Sequence, residues 1–140
     1  MATTDSLQEK YEGLDRRLDS RPESEVDPGC LLTFDYDYPG QDADVVIDTQ
    51  EFTAGCPWTG LPDFGSLTIA YTPHRKCLEL KSLKYYLLSY REVGIVQEHA
   101  ANRILADLVA ACAPQSMVVT LDYNVRGGLH TTVTARHQTT

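Results

Sequence analysis

The segment Glu51–Phe64 combines residue types and spacing that indicate chemistry. It carries one thiol, Cys56, and seven residues later one carboxylate, Asp63. Two prolines and a glycine around them prevent a long helix or a central strand, so we expect a reachable loop. A thiolate beside an acid–base group can act as a nucleophile. The alternative is a small apolar cysteine and an aspartate that only shapes a turn.

The composition indicates a single acidic domain. The chain has 140 residues and a formal net charge of −8, which argues against binding nucleic acid through its phosphates. No apolar run approaches the ~20 residues of a membrane-spanning helix. Asp5, Glu9 and Glu12 lie where a signal peptide has its apolar core. The four cysteines form no Cys-x-x-Cys pair. We therefore expect free thiols and a cytoplasmic protein.

Residues 1–29 are predicted to form an N-terminal arm and linker, and residues 30–140 the main domain. An amphipathic helix is expected near the start, with Asp5 or Ser6 as its N-cap. Its apolar stripe consists of Leu7, Tyr11, Leu14 and Leu18. The stretch 19–29 is charged and contains prolines, which is typical of a linker.

The remaining pattern predicts strands, then two helices, then strands. Strands are expected at residues 31–38, 45–47, 66–71, 77–80, 117–123 and 129–135, and helices at 82–91 and 95–113. The third and fourth strands are predicted to pair as a hairpin, and so are the last two. This order predicts an α+β domain, with helices on one face of an antiparallel sheet. We expect Trp58, Tyr85 and Tyr86 to fill its core.

Glu98 is the most informative residue of the second predicted helix. It precedes Leu105 by seven residues, so the two side chains project within ~20° of each other. The carboxylate therefore lies on the apolar face and points towards the core or a seam between subunits. It either complements the helix dipole, for ~0.3–1 kcal/mol, or accepts paired N–H groups from a planar ligand.

A cationic cluster marks the transition from strand to helix near residue 80. Lys81, Ser82 and Lys84 provide two ammonium groups and a hydroxyl there. Backbone N–H groups at a helix start attract anions, so the cluster suits a cofactor that carries phosphate. A solvated basic helix start is the alternative.

The same region resembles the signature of the 7-cyano-7-deazaguanine reductases, the nitrile reductases of queuosine biosynthesis. Their pattern is Glu, Ser or Leu, Lys, Ser or Ala, an apolar residue, Lys, Leu or Tyr, and an aromatic residue, and 79–86 matches it throughout. The Cys56 loop is similar to the nucleophile segment of that family. Residues 94–105 resemble its substrate-binding helix, and 126–128 its late Arg-Gly-Gly turn.

The resemblance implies a tunnelling fold, in which four antiparallel strands and two helices per subunit assemble into a ring barrel. It implies a homo-oligomer, with stacked pentameric rings and active sites at subunit interfaces. Cys56 would attack the nitrile to form a thioimide, and Asp63 would serve as general acid–base. Two NADPH would complete the reduction to 7-aminomethyl-7-deazaguanine.

The resemblance also assigns the substrate contacts. Glu98 would anchor the guanine-like edge of the 7-deazaguanine nitrile. The other residues implied to bind the substrate are Glu79, Ser82 and His99. The family favours His-Glu-Asp where this chain has Gln-Glu-His, so the role of the preceding histidine does not transfer to Gln97. His99 is the candidate substitute.

The cofactor contacts implied for NADPH are Lys81, Ser82, Lys84 and Arg126. Val125 stands where the family favours proline, which weakens the match of the late turn. No metal, membrane or direct nucleic-acid contact is expected.

Three alternatives remain. They are an amidinotransferase of the same family, a zinc-dependent pterin-type hydrolase on the same fold, and a non-catalytic ring-forming binding module. The zinc enzyme would need converging ligands, and His74 with Cys77 is the only close pair of that kind. The activation of Cys56 is also open, because an ionised Asp63 would raise the pKa of the thiol.

Overall fold

The structure is a computed structural model that describes residues 3–14 and 19–139. The helices are α1 (Thr4–Leu14), α2 (Leu80–Leu88) and α3 (Gln97–Cys112), and two short 3₁₀ turns cover Glu23–Glu25 and Pro28–Cys30. The strands are β1 (Thr33–Asp35), β2 (Val45–Gly55), β3 (Pro62–Thr72), β4 (Lys76–Leu78), β5 (Ser116–Tyr123) and β6 (Thr132–Gln138). No helix in the described part is long and apolar enough to cross a membrane.

A four-stranded antiparallel sheet in the order β2-β3-β5-β6 forms the centre of the fold. Its strands alternate between buried and less buried residues, because successive side chains point to opposite faces. On β3 the buried set includes Leu67, Ile69 and Tyr71. These side chains share one apolar core with Ile104 and Leu108 of α3. The predicted α+β class and its antiparallel sheet are confirmed.

The predicted hairpin between residues 66–71 and 77–80 is wrong. β3 pairs with β2 and β5, whereas β4 pairs with β1 in a separate two-stranded sheet. The turn signal at Pro73 is real, but β3 finds longer partners elsewhere, and long pairings bury more apolar surface than a short local hairpin. The hydroxyl of Tyr71 accepts the N–H of Leu78 at 3.0 Å, which holds the returning chain beside the sheet.

The strand predicted at residues 45–47 is much longer in the structure. The run at 45–47 extends through β2 to Gly55, and β2 and β3 form a hairpin whose tip is the Cys56 loop. The last predicted hairpin is confirmed as β5 paired with β6.

The N-terminal helix begins two or three residues earlier than expected. Thr3 and Ser6 form reciprocal bonds: the Ser6 N–H donates to Thr3 Oγ1 at 3.2 Å, and the Thr3 N–H donates to Ser6 Oγ at 2.9 Å. Thr3 is therefore the cap, rather than Asp5 or Ser6. The predicted stripe residue Leu18 lies outside the described residues.

The stretch 19–29, predicted as a linker, lies against the main domain. The Arg21 N–H donates to Glu92 O at 2.7 Å, and the Gly94 N–H donates to Arg21 O at 2.8 Å. Val26 belongs to the apolar core. Contacts with the body thus begin before residue 30, while the division into an arm and a domain stays a prediction.

Candidate active site

A cavity of about 590 Å³ opens where three segments meet: the β2–β3 loop, the first turn of α3 and the β5–β6 connection. Polar and apolar side chains line it together. They include Cys56, Trp58, Asp63, Glu98, Arg126 and Leu129. The fold thus brings the predicted nucleophile, acid–base group and substrate anchor into one cavity, although they are far apart in sequence.

The Cys56 loop is closed by its own backbone. The Cys56 N–H donates to Leu61 O and the Gly60 N–H donates to Cys56 O, each at 2.9 Å. Gly60 has a φ of 74°, a left-handed conformation that glycine adopts without steric cost. The loop is therefore a defined turn that fixes the direction of the thiol.

A short backbone ladder joins this loop to the start of α3. The Gly55 N–H donates to Val93 O at 2.7 Å, and the Ile95 N–H donates to Gly55 O at 3.1 Å. Cys56 directly follows Gly55 of this ladder, and Glu98 lies within one helical turn of Ile95. The ladder therefore sets the position of the thiol relative to the carboxylate.

The surroundings of Cys56 favour its thiolate. Burial raises the pKa of the thiol, but hydrogen bonds from the Thr59 hydroxyl, the N–H groups of Thr59 and Trp58, and the Arg126 side chain outweigh that effect. The pKa of Cys56 consequently lies below its ordinary value. These donors supply the activation that the sequence did not reveal.

Asp63 is a buried carboxyl paired with a half-exposed cation. Its side chain is 5% exposed, and Arg126, which is 48% exposed, forms an ion pair with it. Burial raises the pKa of Asp63, and the charge and hydrogen bond of Arg126 offset only part of that rise. Asp63 can therefore hold a proton at a pH where an exposed aspartate is ionised.

The β5–β6 connection explains how Arg126 reaches this position. Arg126 and Leu129 exchange both of their backbone hydrogen bonds at 2.9 Å, which closes a tight turn. Gly127 and Gly128 occupy its centre with φ values of 57° and 79°. Two successive positive φ values are typical of a hairpin turn that requires glycine, so the Arg-Gly-Gly sequence is needed to aim Arg126 inward.

Glu98 lies in the first turn of α3 and lines the same cavity. Its backbone oxygen accepts the side chain of Asn102 at 2.8 Å. Within residues 3–14 and 19–139, its carboxylate makes neither a salt bridge nor a hydrogen bond. An exposed carboxylate at a cavity wall with no protein partner can accept donors from a ligand.

Comparisons with known proteins give the family. The model of the QueF-like protein family matches residues 62–140. A relative from Caldicellulosiruptor bescii named NADPH-dependent 7-cyano-7-deazaguanine reductase is 49% identical over 132 residues, covering 94% of this chain and 99% of that protein. One of the same name from Chlorobaculum tepidum is 52% identical over 107 residues, covering 76% and 92%. This chain belongs to the 7-cyano-7-deazaguanine reductase family.

The predicted family is thus confirmed, and the names of these relatives state a 7-cyano-7-deazaguanine reductase that depends on NADPH. A crystal structure of the archaeosine synthase QueF-Like in the apo form has a TM-score of 0.65 to this chain, covering 71% of it and 98% of that chain. At 24% identity this likeness shows the shared fold alone.

The departure from the family's His-Glu-Asp pattern has a geometric consequence. Gln97 lines the cavity beside Glu98, whereas His99 is exposed outside its lining. An amide therefore faces the site where many members of the reductase family carry an imidazole. The structure does not bring His99 to the cavity, and its role in substrate binding stays a prediction.

The reductase signature at the start of α2 lies apart from the cavity. The Glu79 carboxylate caps the helix by accepting the N–H groups of Lys81 and Ser82, both at 2.8 Å. The Ser82 hydroxyl donates to Glu79 O and accepts the N–H of Leu32, both at 2.9 Å. The N–H groups expected to attract phosphate are thus occupied by a carboxylate. Lys81 and Lys84 remain as exposed cations.

Sequence reasoning missed two further features of the site. Trp58 was expected in the core, but it is 80% exposed and lines the cavity. Tyr85 is exposed as well, whereas Tyr86 is fully buried as predicted. Thr59 was not singled out, although a hydroxyl close after a cysteine in a tight turn is a recognisable local donor.

Proposed function

We propose that this protein reduces 7-cyano-7-deazaguanine to 7-aminomethyl-7-deazaguanine with NADPH, as a step of tRNA queuosine biosynthesis in the cytoplasm. The observation that carries the proposal is the opposite perturbation of two facing groups. The pKa of Cys56 is lowered, while that of Asp63 is raised. The opposite shifts bring the pKa values of the thiol and the carboxyl closer together, which favours transfer of the thiol proton to Asp63 and so a thiolate beside a carboxylic acid.

This protonation state suits addition to a nitrile. The Cys56 thiolate attacks the nitrile carbon and forms a C–S bond. One electron pair of the C≡N bond moves to nitrogen, which takes the proton of Asp63. The product is a neutral thioimide and an ionised Asp63, which Arg126 already contacts. Asp63 thus acts first as the base that takes the thiol proton and then as the acid that protonates the nitrile nitrogen.

Glu98 provides the recognition element. The substrate presents a ring N–H and an exocyclic NH₂ side by side, and both can donate to one carboxylate. The unpartnered Glu98 carboxylate at the cavity wall supports this role. Trp58 is exposed beside it and offers an apolar surface to a planar ring.

Lys81 and Lys84 fit the phosphates of NADPH, because both are exposed cations near the start of α2. Ser82 fits less well, since its hydroxyl is already bonded on both sides. When bound, the cofactor supplies the hydride for each reduction. Glu79 and Ser82 would support its site by holding the helix start rather than by touching the ligand.

We further propose a ring of subunits, stacked as pentamers, with each active site at an interface. β2 and β6 are the open edges of the sheet and can each pair with a neighbouring subunit. Large exposed apolar side chains lie on the two connections that line the cavity or next to them in the chain, which indicates a covered surface. They are Trp58, Leu61, Phe64, Val125 and Leu129. A neighbouring subunit would also bring Lys81 and Lys84 to a cavity that they do not line within one chain.

The test combines intact-mass measurement with a spectroscopic assay. Protein mixed with 7-cyano-7-deazaguanine should gain the mass of one substrate, and added NADPH should then be oxidised at two equivalents per nitrile. Cys56→Ala should form no adduct, whereas Cys112→Ala should behave as wild type, because burial raises the pKa of Cys112 to about 11. An adduct without NADPH oxidation would indicate amidinotransferase chemistry. No adduct would reject the nitrile substrate.

A further inference from the structure

Tyr123 carries a buried hydroxyl with no partner. The residue is 3% exposed, and its hydroxyl makes no hydrogen bond to any residue that the structure describes. Other buried tyrosines are satisfied: the Tyr71 hydroxyl accepts the Leu78 N–H, and those of Tyr86 and Tyr90 bond each other at 2.8 Å. An unpaired buried hydroxyl destabilises a protein, so it calls for an explanation.

The position of Tyr123 places it beneath the active site. It is the register partner of Gly65, and Asp63 lies two residues before that glycine on β3. Side chains two residues apart share a face, so Tyr123 and Asp63 are diagonal neighbours on the buried face of the sheet. Gly65 allows the backbone of β5 to approach β3 closely at this point. A Cβ there would come within 2.9 Å of Asp122 O.

Both active-site carboxylates influence this hydroxyl. Burial is the main cause that raises the pKa of Tyr123, and the charges of Asp63 and Glu98 raise it further. The phenol therefore stays protonated and can only act as a hydrogen-bond donor towards them. Arg126 binds Oδ1 of Asp63, which leaves Oδ2 for a second donor.

We propose that Tyr123 is a positioning residue that donates a hydrogen bond to Asp63 once Asp63 has lost its proton. This inference rests on the proposed role of Asp63 in nitrile addition. When Asp63 gives its proton to the substrate nitrogen, a negative charge develops in a buried site. Arg126 approaches from the open side of the cavity, and the hydroxyl of Tyr123 meets the charge from the core side. Its resting lack of a partner is then the cost of being ready for the ionised form.

The decisive variant is Tyr123→Phe, with Tyr71→Phe as its matched control. The first removes an unpaired hydroxyl, and the second removes a paired one that lies outside the cavity lining. For Tyr123→Phe we expect about tenfold slower nitrile addition, because ionised Asp63 loses a donor. Its thermal stability should not fall. Tyr71→Phe should lower the stability and leave the addition rate unchanged.

A second measurement needs no substrate. The rate of Cys56 alkylation by iodoacetamide, followed against pH, reports the coupled titration of Cys56 and Asp63. The inflection at which Asp63 ionises should move to higher pH in Tyr123→Phe and stay in place in Tyr71→Phe. An unchanged inflection would overturn the role of Tyr123. A shifted inflection in a protein that forms no nitrile adduct would support the role of Tyr123 and reject the proposed reaction.

Discussion

Arg126 forms an ion pair with Asp63 and also lowers the pKa of Cys56, so a single guanidinium influences both the nucleophile and the proton donor. The pKa of the Cys56 thiol falls through several donors, of which Arg126 is one. The pKa of Asp63 rises through burial, and Arg126 limits that rise. The residue that the family resemblance assigned to NADPH thus lies, within this chain, at the centre of the proton-sharing pair.

Arg126→Gln tests this assignment. Losing the guanidinium should raise the pKa of both partners, so the alkylation rate of Cys56 at neutral pH should fall about tenfold. The KM for NADPH should change little. Arg91→Gln, an exposed arginine outside the cavity lining, is the control and should leave the alkylation profile unchanged. A large rise in the KM for NADPH with an unaltered thiol profile would instead favour the cofactor role.

The raised pKa of Asp63 predicts how stability depends on pH. A carboxyl whose pKa is higher in the folded state favours folding while it is protonated, and this contribution is lost as pH rises through the folded pKa. Relative to Asp63→Asn, the wild type should therefore lose free energy of unfolding as pH increases from about 4. Urea unfolding at pH 4 and at pH 7.5 measures the difference. Asp44→Asn, at an exposed position, should follow the wild type; a constant difference between Asp63→Asn and wild type would contradict the prediction.

Glu98→Gln separates ligand binding from helix stability. Since the carboxylate has no partner in the described part of the chain, the change should alter the free energy of unfolding by no more than about 0.5 kcal/mol. Binding of 7-cyano-7-deazaguanine to the Cys56→Ala background should weaken by roughly ten- to a hundredfold, because a charge-assisted pair of hydrogen bonds is lost. Calorimetry measures the affinity. Glu92→Gln, exposed and paired with Arg21, is the control, and equal affinity of the two variants would restrict Glu98 to the helix dipole.

Gly94→Ala tests the backbone ladder that joins the loop to α3. A Cβ at this position would lie 2.5 Å from Ser20 Oγ and 2.9 Å from Pro57 Cα. We expect a loss of about 1–3 kcal/mol in stability, together with slower adduct formation, because the clash pushes against the Cys56 loop. Gly13→Ala is the matched control, since nothing lies within 4 Å of its added methyl group. It should be neutral or slightly stabilising, as a helical alanine is. If Gly94→Ala behaved as wild type, the backbone ladder would not determine the position of the Cys56 loop.

The local patterns of this chain were reliable guides. Alternation along 66–71 and the apolar stripe of 95–113 correspond to β3 and α3, because each burial pattern repeats with the period of its own element. Errors arose where a local signal competed with distant partners. The turn at Pro73 suggested a hairpin with residues 77–80, yet β4 pairs with β1. The apolar surface of Trp58 suggested burial, yet it forms part of the cavity wall.

The sequence by itself determined the α+β class, the family, and the identity of Cys56, Asp63 and Glu98 as the candidate site. The class follows from the periodicity of apolar residues, and the family and candidate site follow from the resemblance of short segments to the motifs of that family; both are properties of the chain before it folds. Only the tertiary structure decided that Arg126 serves the Cys56–Asp63 pair, and that the N–H groups at the start of α2 are taken by Glu79. Hydrogen bonds and pKa shifts depend on which groups the fold brings within a few ångströms and removes from water, and no spacing along a chain specifies those distances.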